Sequence, residues 1–255
     1  MIQCYNPIDH IAIMKDRVVL LAGYDGTIAG SIRTLFKRHG ATIIDVFNEK
    51  NLSLEMLKNN EKIDSLVFIS HPNVITSIEK IDSLAANSIF QSGCLFLHSI
   101  VKQVLPIMKR QREGNIVSIV PDYAVAAVPG VSICAANAAA SVSYLRAVAI
   151  ECCKFGIRAN SVLTGFSIAE NGDAQIHQLG KEAAEDAFVR YQPLGRRGSC
   201  EDVANAALFC ASSMSNSITG ESIPVNGGVL IVGHSQVWQP KDKSVFSLTL
   251  KEQRK

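Results

Sequence analysis

Charge of either sign is scarce in this chain of 255 residues: 25 basic against 23 acidic side chains leave a net charge of +2. That balance is too mild to support a nucleic-acid or membrane-surface partner. Seven cysteines show no paired spacing, and the adjacent Cys152 and Cys153 suit neither an ordinary zinc ligand pair nor a CxxC redox motif. They fit a reducing compartment, and a cytoplasmic protein is expected. The histidines, at 10, 39, 71, 98, 177 and 234, show no metal-ligand spacing. No uninterrupted apolar run free of charge reaches the roughly 18 residues of a membrane span. Internal repeats, low-complexity segments and obvious linkers are missing too.

What the chain has is alternation. Apolar runs rich in Val and Ile predict strands at 17–22, 42–47, 64–70, 115–121, 157–163 and 221–226. Near-continuous hydrophobicity predicts burial on both faces, as in a parallel sheet covered by helices. Helical patterns fall between them, at about 29–39, 50–61, 86–111, 133–155, 176–188 and 200–213. The expectation is an α/β protein: a Rossmann-like, doubly wound parallel sheet of about six strands with right-handed crossovers, in a single domain over 1–255.

The helix ICAANAAASVSYLRAVAIECCKF carries only Arg146, Glu151 and Lys154 as charges. A helix apolar on nearly every face needs cover on nearly every face. One face can pack on the sheet, and a second subunit is expected to cover the other; the alternative is cover by this chain's own tail.

The stretch PLGRRGSCEDVANAALFCASSMSNSITGESIPVNGG, residues 193–228, together with VKQVLPIMKRQREGNIVSI and KFGIRANSVLTG, resembles the short-chain dehydrogenase/reductase family. The resemblance runs from Arg17 to Gly228, which leaves 1–16 and 229–255 as extensions at either end of the 17–228 core. It implies a nicotinamide cofactor and four catalytic groups: a tyrosine and lysine four residues apart, a serine and an asparagine. A lysine beside the phenol lowers its pKa, so that the tyrosine works as acid or base near neutral pH. Counting without gaps from GIRAN places the tyrosine position at Cys134, the lysine at Ala138 and the serine at Pro121; counting from LPIM places the asparagine at Gly93. None of the four groups is present, and no nearby register restores them.

The cofactor positions implied by the resemblance differ as well. The stretch VVLLAGYDGTIAG looks like a phosphate loop, in which glycines let backbone approach a pyrophosphate at a helix N-terminus. Gly23 holds the first glycine position, but Thr27 and Ala29 hold the others, and Asp25 would set a carboxylate near the phosphates. Phe47 stands where an acid would bind the adenosine ribose; Asp45, two residues earlier, is expected to be buried. Thr164-Gly165 replaces a proline-glycine and Ala169 a nicotinamide-side threonine. Only NEKNLSLEMLKNNEKI separates the second strand from the next, room for one helix but not for the family's helix–strand–helix, so the family's third strand is expected to be missing.

These readings predict no catalytic, cofactor or metal site in the chain. They predict a catalytically silent subunit of a hetero-oligomeric dehydrogenase, in a heterotetramer whose active relative brings NAD. The two-subunit dehydrogenase of anaerobic toluene breakdown, which oxidises a benzylsuccinate-derived hydroxyacyl-CoA, is the specific analogy. The alternatives are a stand-alone small-molecule-binding or regulatory protein using the emptied cleft, and a cofactor-independent lyase using Asp122 or Cys134, the latter paired with His71. The tail with Trp238 either crosses to a neighbouring subunit or is loosely ordered.

Overall fold

The computed structural model describes residues 12–47, 62–70, 76–126, 129–165, 168, 182 and 192–232. Six strands, β1 (Val18–Gly23), β2 (Thr42–Val46), β3 (Ser65–Ile69), β4 (Gly114–Pro121), β5 (Ile157–Thr164) and β6 (Ser222–Val225), form one sheet in the order β2-β1-β3-β4-β5-β6. All five pairings are parallel. No strand lies beyond β2 among the described residues. The expected helix at 50–61 lies outside the described residues, that at 176–188 almost wholly so, and His71, Ala169 and Trp238 fall outside them too.

Period-two alternation along each strand sorts the side chains into two cores. Leu20, Leu66, Phe68, Ile116 and Ala159 point to one face, where helices α3 (Phe96–Gln111) and α4 (Ser132–Cys152) cover them. Val19, Leu21, Val67, Ile69, Val117 and Val162 point to the other, under α1 (Thr27–Arg38) and α5 (Cys200–Ala211). Each fully buried Leu, Ile or Phe contributes about 1.5–3 kcal/mol relative to exposure. Phe68 and Phe96 meet edge to face at 5.8 Å, tying β3 to α3.

The edge position of β2 corrects one expectation. Apart from the buried Val46 its residues are exposed or partly buried, and Asp45 is exposed, its carboxylate held by Arg33 Nε at 3.2 Å. A strand with a single neighbour keeps one side open to water, so a polar residue there needs no buried partner.

The helix expected to begin at 86 begins as α2 (Ser83–Phe90), capped by Asp82, whose carboxylate accepts from Ala85 N at 2.8 Å. A π-helical turn, Gln91–Leu95, joins it to α3, with Gly93 off helical geometry at φ −105°, ψ −108°. Composition alone is also misleading here: Ser83–Gln111 and Ser132–Phe155 are long and apolar enough to cross a membrane, with mean hydropathy 1.3 and 1.4 over their most apolar windows. In this fold Phe96–Gln111 and Ser132–Cys152 each bury one side on the sheet.

At the N-terminal end of the sheet, Asp64 is buried and its oxygens accept from Val18 N (2.7 Å) and Arg17 Nη1 (2.8 Å), with Lys62 Nζ at 3.2 Å. Arg17 also reaches Glu113 at 2.8 Å, so β1, β3 and β4 are joined at their starts. Removing one partner of a buried ion pair strands the other's charge. Asp64→Ala is therefore expected to lower unfolding free energy by about 3 kcal/mol, at the low end because Arg17 is partly solvated. Urea denaturation would check this, and a loss below about 1 kcal/mol would show that the carboxylate does not hold the strand starts together.

Candidate functional site

The C-terminal ends of β4 and β5 face the N-terminal part of α4, and there the four positions implied by sequence meet. Pro121 ends β4, and the turn after it carries Asp122 and Tyr123. Tyr123, Cys134 and Ala138 belong to one buried cluster with Val120, Val131, Val142 and Leu163, against which Leu230 of α6 (Val229–Val232) packs. Gly93 touches the same helix from the far side, against Asn137, the neighbour of Ala138. The gap-free counts therefore pick out one place in the fold.

That place is filled by the chain itself. Tyr123 is 3 % exposed, its ring occupying the space beside Cys134 and Ala138. Burial, reinforced by neighbouring Cys134 and Asp122, pushes its phenol far above the usual tyrosine range. A phenol so placed stays protonated at neutral pH. Among the described residues no lysine stands beside it to reverse that shift.

Asn137 was invisible to motif counting, yet it organises the relay position. Its Oδ1 accepts from Cys94 N at 2.9 Å and so satisfies an amide freed by the π-turn. A Cβ at residue 93 would collide with the Asn137 amide group, which is why glycine sits there. The helix irregularity is kept, and a side chain from the adjacent helix occupies the room inside it.

Asp122 is the buried acid at this end, 5 % exposed. Asn226 Nδ2 donates to its Oδ2 at 3.0 Å, while Asn226 Oδ1 accepts from Gly228 N at 3.1 Å. Burial raises the carboxyl's pKa, and the bond from Asn226 partly offsets it. The pair ties the turn after β4 to the turn after β6. Among the described residues, no group of three or more His, Cys, Asp or Glu could hold a metal ion.

At the other end of the sheet's carboxyl edge lies the glycine loop. Gly23 has φ +100°, and a Cβ there would strike the Ile69 carbonyl oxygen, so this glycine is demanded by the closeness of β1 to β3. Ala29, in the first turn of α1, is fully buried, and Thr27 Oγ1 accepts from Cys200 Sγ at 3.5 Å, linking the starts of α1 and α5. Asp25 pairs with Arg33 Nη2 at 2.9 Å. The same guanidinium lies 5.4 Å over the Phe47 ring and holds Asp45. Arg33, which pattern reading passed over, thus joins Asp25, Asp45 and Phe47 in one network. Its position two turns along α1 from Asp25 is the only sequence trace of it.

A nicotinamide dinucleotide needs glycine backbone at its pyrophosphate and an acceptor at its ribose. The residues present do not fit that group. An aspartate stands in the loop, Phe47 offers no acceptor where the ribose acid is expected, and side chains fill the catalytic end.

The family model described as Enoyl-(Acyl carrier protein) reductase matches residues 55–230. Among curated proteins, the 3-oxoacyl-[acyl-carrier-protein] reductase of Rickettsia bellii is 30 % identical over 86 % of this chain and 99 % of its own length. The reductase of the same name from Thermotoga maritima is 28 % identical, again over 86 % and 99 %. Among solved structures, an NAD(P)-dependent gluconate 5-dehydrogenase from Beutenbergia cavernae, described with NADP bound at low occupancy, superposes with a TM-score of 0.78 at 20 % identity, covering 86 % of this chain and 99 % of that one. A dehalogenation enzyme gives 0.76 at 18 %, covering 85 % and 99 %. Joined to the six-stranded parallel sheet, these matches place the chain in the short-chain dehydrogenase/reductase family of oxidoreductases.

Proposed function

We propose that this chain is a non-catalytic member of its family, the silent subunit of a hetero-oligomeric dehydrogenase in the cytoplasm. The observation that carries the reading is the filled cleft: Tyr123 packed on Cys134 and Ala138, with Asn137 in the room that a side chain at 93 would need. Catalysis by this fold requires an open pocket with a phenol of lowered pKa. Here the space is occupied and the Tyr123 phenol is shifted the other way. The Arg33 network supports the same reading at the cofactor end.

In this assembly, a heterotetramer, an active relative supplies NAD and the tyrosine–lysine pair, and this chain supplies matching subunit surface. The curated relatives named above act on 3-oxoacyl thioesters of acyl carrier protein. The proposed substrate of the active partner is accordingly a 3-oxoacyl or hydroxyacyl thioester. The benzylsuccinate-derived hydroxyacyl-CoA of toluene breakdown belongs to that class, and no residue of this chain singles it out. A stand-alone binding protein would need the cleft for a ligand, and the packing of Tyr123 and Leu230 into it speaks against that alternative. A lyase built on Asp122 or Cys134 meets the same obstacle: both side chains are buried.

Three outcomes follow. Titration of the isolated chain with NADH or NADPH, read by nucleotide fluorescence, is expected to show no saturable binding up to about 1 mM, whereas micromolar affinity would overturn the reading of the loop. Co-expression with the dehydrogenase encoded beside it, and purification through a tag on this chain, is expected to recover the active enzyme in fixed ratio; recovery of this chain alone would count against the subunit role. Cys134→Ala should leave the activity of the assembly within about twofold, because the residue serves as a small buried hydrophobe. A hundredfold loss would identify it as a nucleophile instead.

A further inference from the structure

A cavity of about 430 Å³ opens at the amino ends of the strands, the edge of the sheet opposite the glycine loop and the Tyr123 cluster. Arg17 precedes β1, Glu113 and Asn115 stand at the start of β4, and Arg158 stands at the start of β5; the connection from α5 to β6 closes the remaining side. Small-molecule sites span roughly 300–1,000 Å³ and combine apolar wall with a few fixed polar groups. Here Met14, Ile157 and Ala211, all buried, supply the apolar wall. The α5–β6 connection is pinned: Thr219 Oγ1 accepts from Ala159 N at 3.1 Å, Gly220 N donates to Ala159 O at 2.7 Å, and Asn160 bonds both Ile218 O and Glu221 N. Ser213, Asn216 and Ser217 ride on this anchored segment, and their side chains make no hydrogen bond among the described residues.

Charge in the cavity is uneven. Of the lining residues, Arg17 and Arg158 are cations and Glu113 is the one acid. The half-buried Arg158 gives Nη1 and Nη2 to four neutral oxygens, and among the described residues no carboxylate pairs with it. Those bonds occupy its terminal donors without cancelling its charge, and its Nε is left over. Arg17 meets Asp64 and Glu113 through Nη1 alone, which leaves its Nη2 and Nε. A guanidinium drawn out of bulk water without a counter-charge favours an anion that can enter beside it, and its planar fork suits a carboxylate.

We infer that this amino-edge cavity binds a small organic carboxylate, its charge beside Arg17 and Arg158, its apolar body against Met14, Ile157 and Ala211, and its mouth lined by Ser213, Asn216 and Ser217. One cation in excess among the lining residues matches a monoanion, while Glu113 and the apolar wall disfavour inorganic phosphate. Open α/β sheets ordinarily bind ligands at the carboxyl ends of their strands. In this chain that edge is packed with side chains, and the cavity lies at the other edge. The site goes beyond the subunit reading above and does not depend on it.

Benzoate, its uncharged counterpart benzamide, and inorganic phosphate, each titrated calorimetrically into the full chain, test this. Benzoate is expected to saturate with Kd on the order of 1 mM or below, at least about tenfold more tightly than the other two. Cys153, an exposed thiol in the cavity lining, reports the location: bound benzoate is expected to slow its alkylation by iodoacetamide, mapped by mass spectrometry, at least about threefold. Ser217→Glu, at an exposed position, brings a carboxylate to the mouth and is expected to weaken benzoate at least about tenfold, whereas Ser217→Gln keeps affinity within about threefold. Equal binding of benzamide would reduce the site to an apolar crevice, and tighter binding of phosphate would make it a phosphate site; either overturns the inference. So would benzoate that fails to protect Cys153 in the wild-type chain, or that does not saturate by about 20 mM. The NADH and NADPH titration probes the other edge of the sheet, so the non-catalytic reading and this site can fail separately.

Discussion

The whole arrangement depends on a parallel sheet that must be dry on both faces. Parallel strands need crossovers, the crossovers bring helices, and the helices bury both rows of alternating side chains. Once Leu20, Leu66 and Phe68 face α3 and α4, and Val19, Val67 and Ile69 face α1 and α5, strand order and helix placement have little freedom left. The carboxyl edge of the sheet then becomes a crevice whatever lines it. In this chain packing residues occupy that edge.

The residues that make the family resemblance visible are architectural. Arg158, from GIRAN, donates to Cys210 O at 3.2 Å and Ser212 O at 2.9 Å at the end of α5, to Ser215 Oγ at 2.9 Å and to Ile218 O at 3.2 Å. Asn160 from the same run donates to Ile218 O and accepts from Glu221 N. Ser199 and Asp202, in the longest matching stretch, form a reciprocal capping box at the start of α5. Such residues close helix ends and join strands, so they can persist while the chemistry of the crevice changes. A strong fold match and an altered site are therefore compatible.

Strand positions were legible because burial on two faces writes itself as long Val and Ile runs: the expected 157–163 is observed as Ile157–Thr164, and 115–121 as Gly114–Pro121. The location of the four altered positions was legible for the same reason, since gap-free counting works where strands and helices keep their lengths. What counting could not give was the fate of the vacated volume. Tyr123 enters it from a three-residue turn and Asn137 from a position one residue away from the expected lysine, while Arg33, on the second turn of α1, pairs with Asp25 at the glycine loop. These depend on side-chain direction and distance across elements, which no local pattern encodes. Asp45 was misplaced because a hydrophobic run does not reveal which strand stands at the edge.

The contact between Gly93 and Asn137 also sets an order on molecular history. An asparagine introduced at 93 would meet the amide of Asn137 before it could contribute anything, and removing Asn137 first would leave the Cys94 amide without its acceptor. Either single step is unfavourable from the present state. A side chain at 93 is thus hindered by two coupled substitutions, a ratchet made from one hydrogen bond and one absent β-carbon.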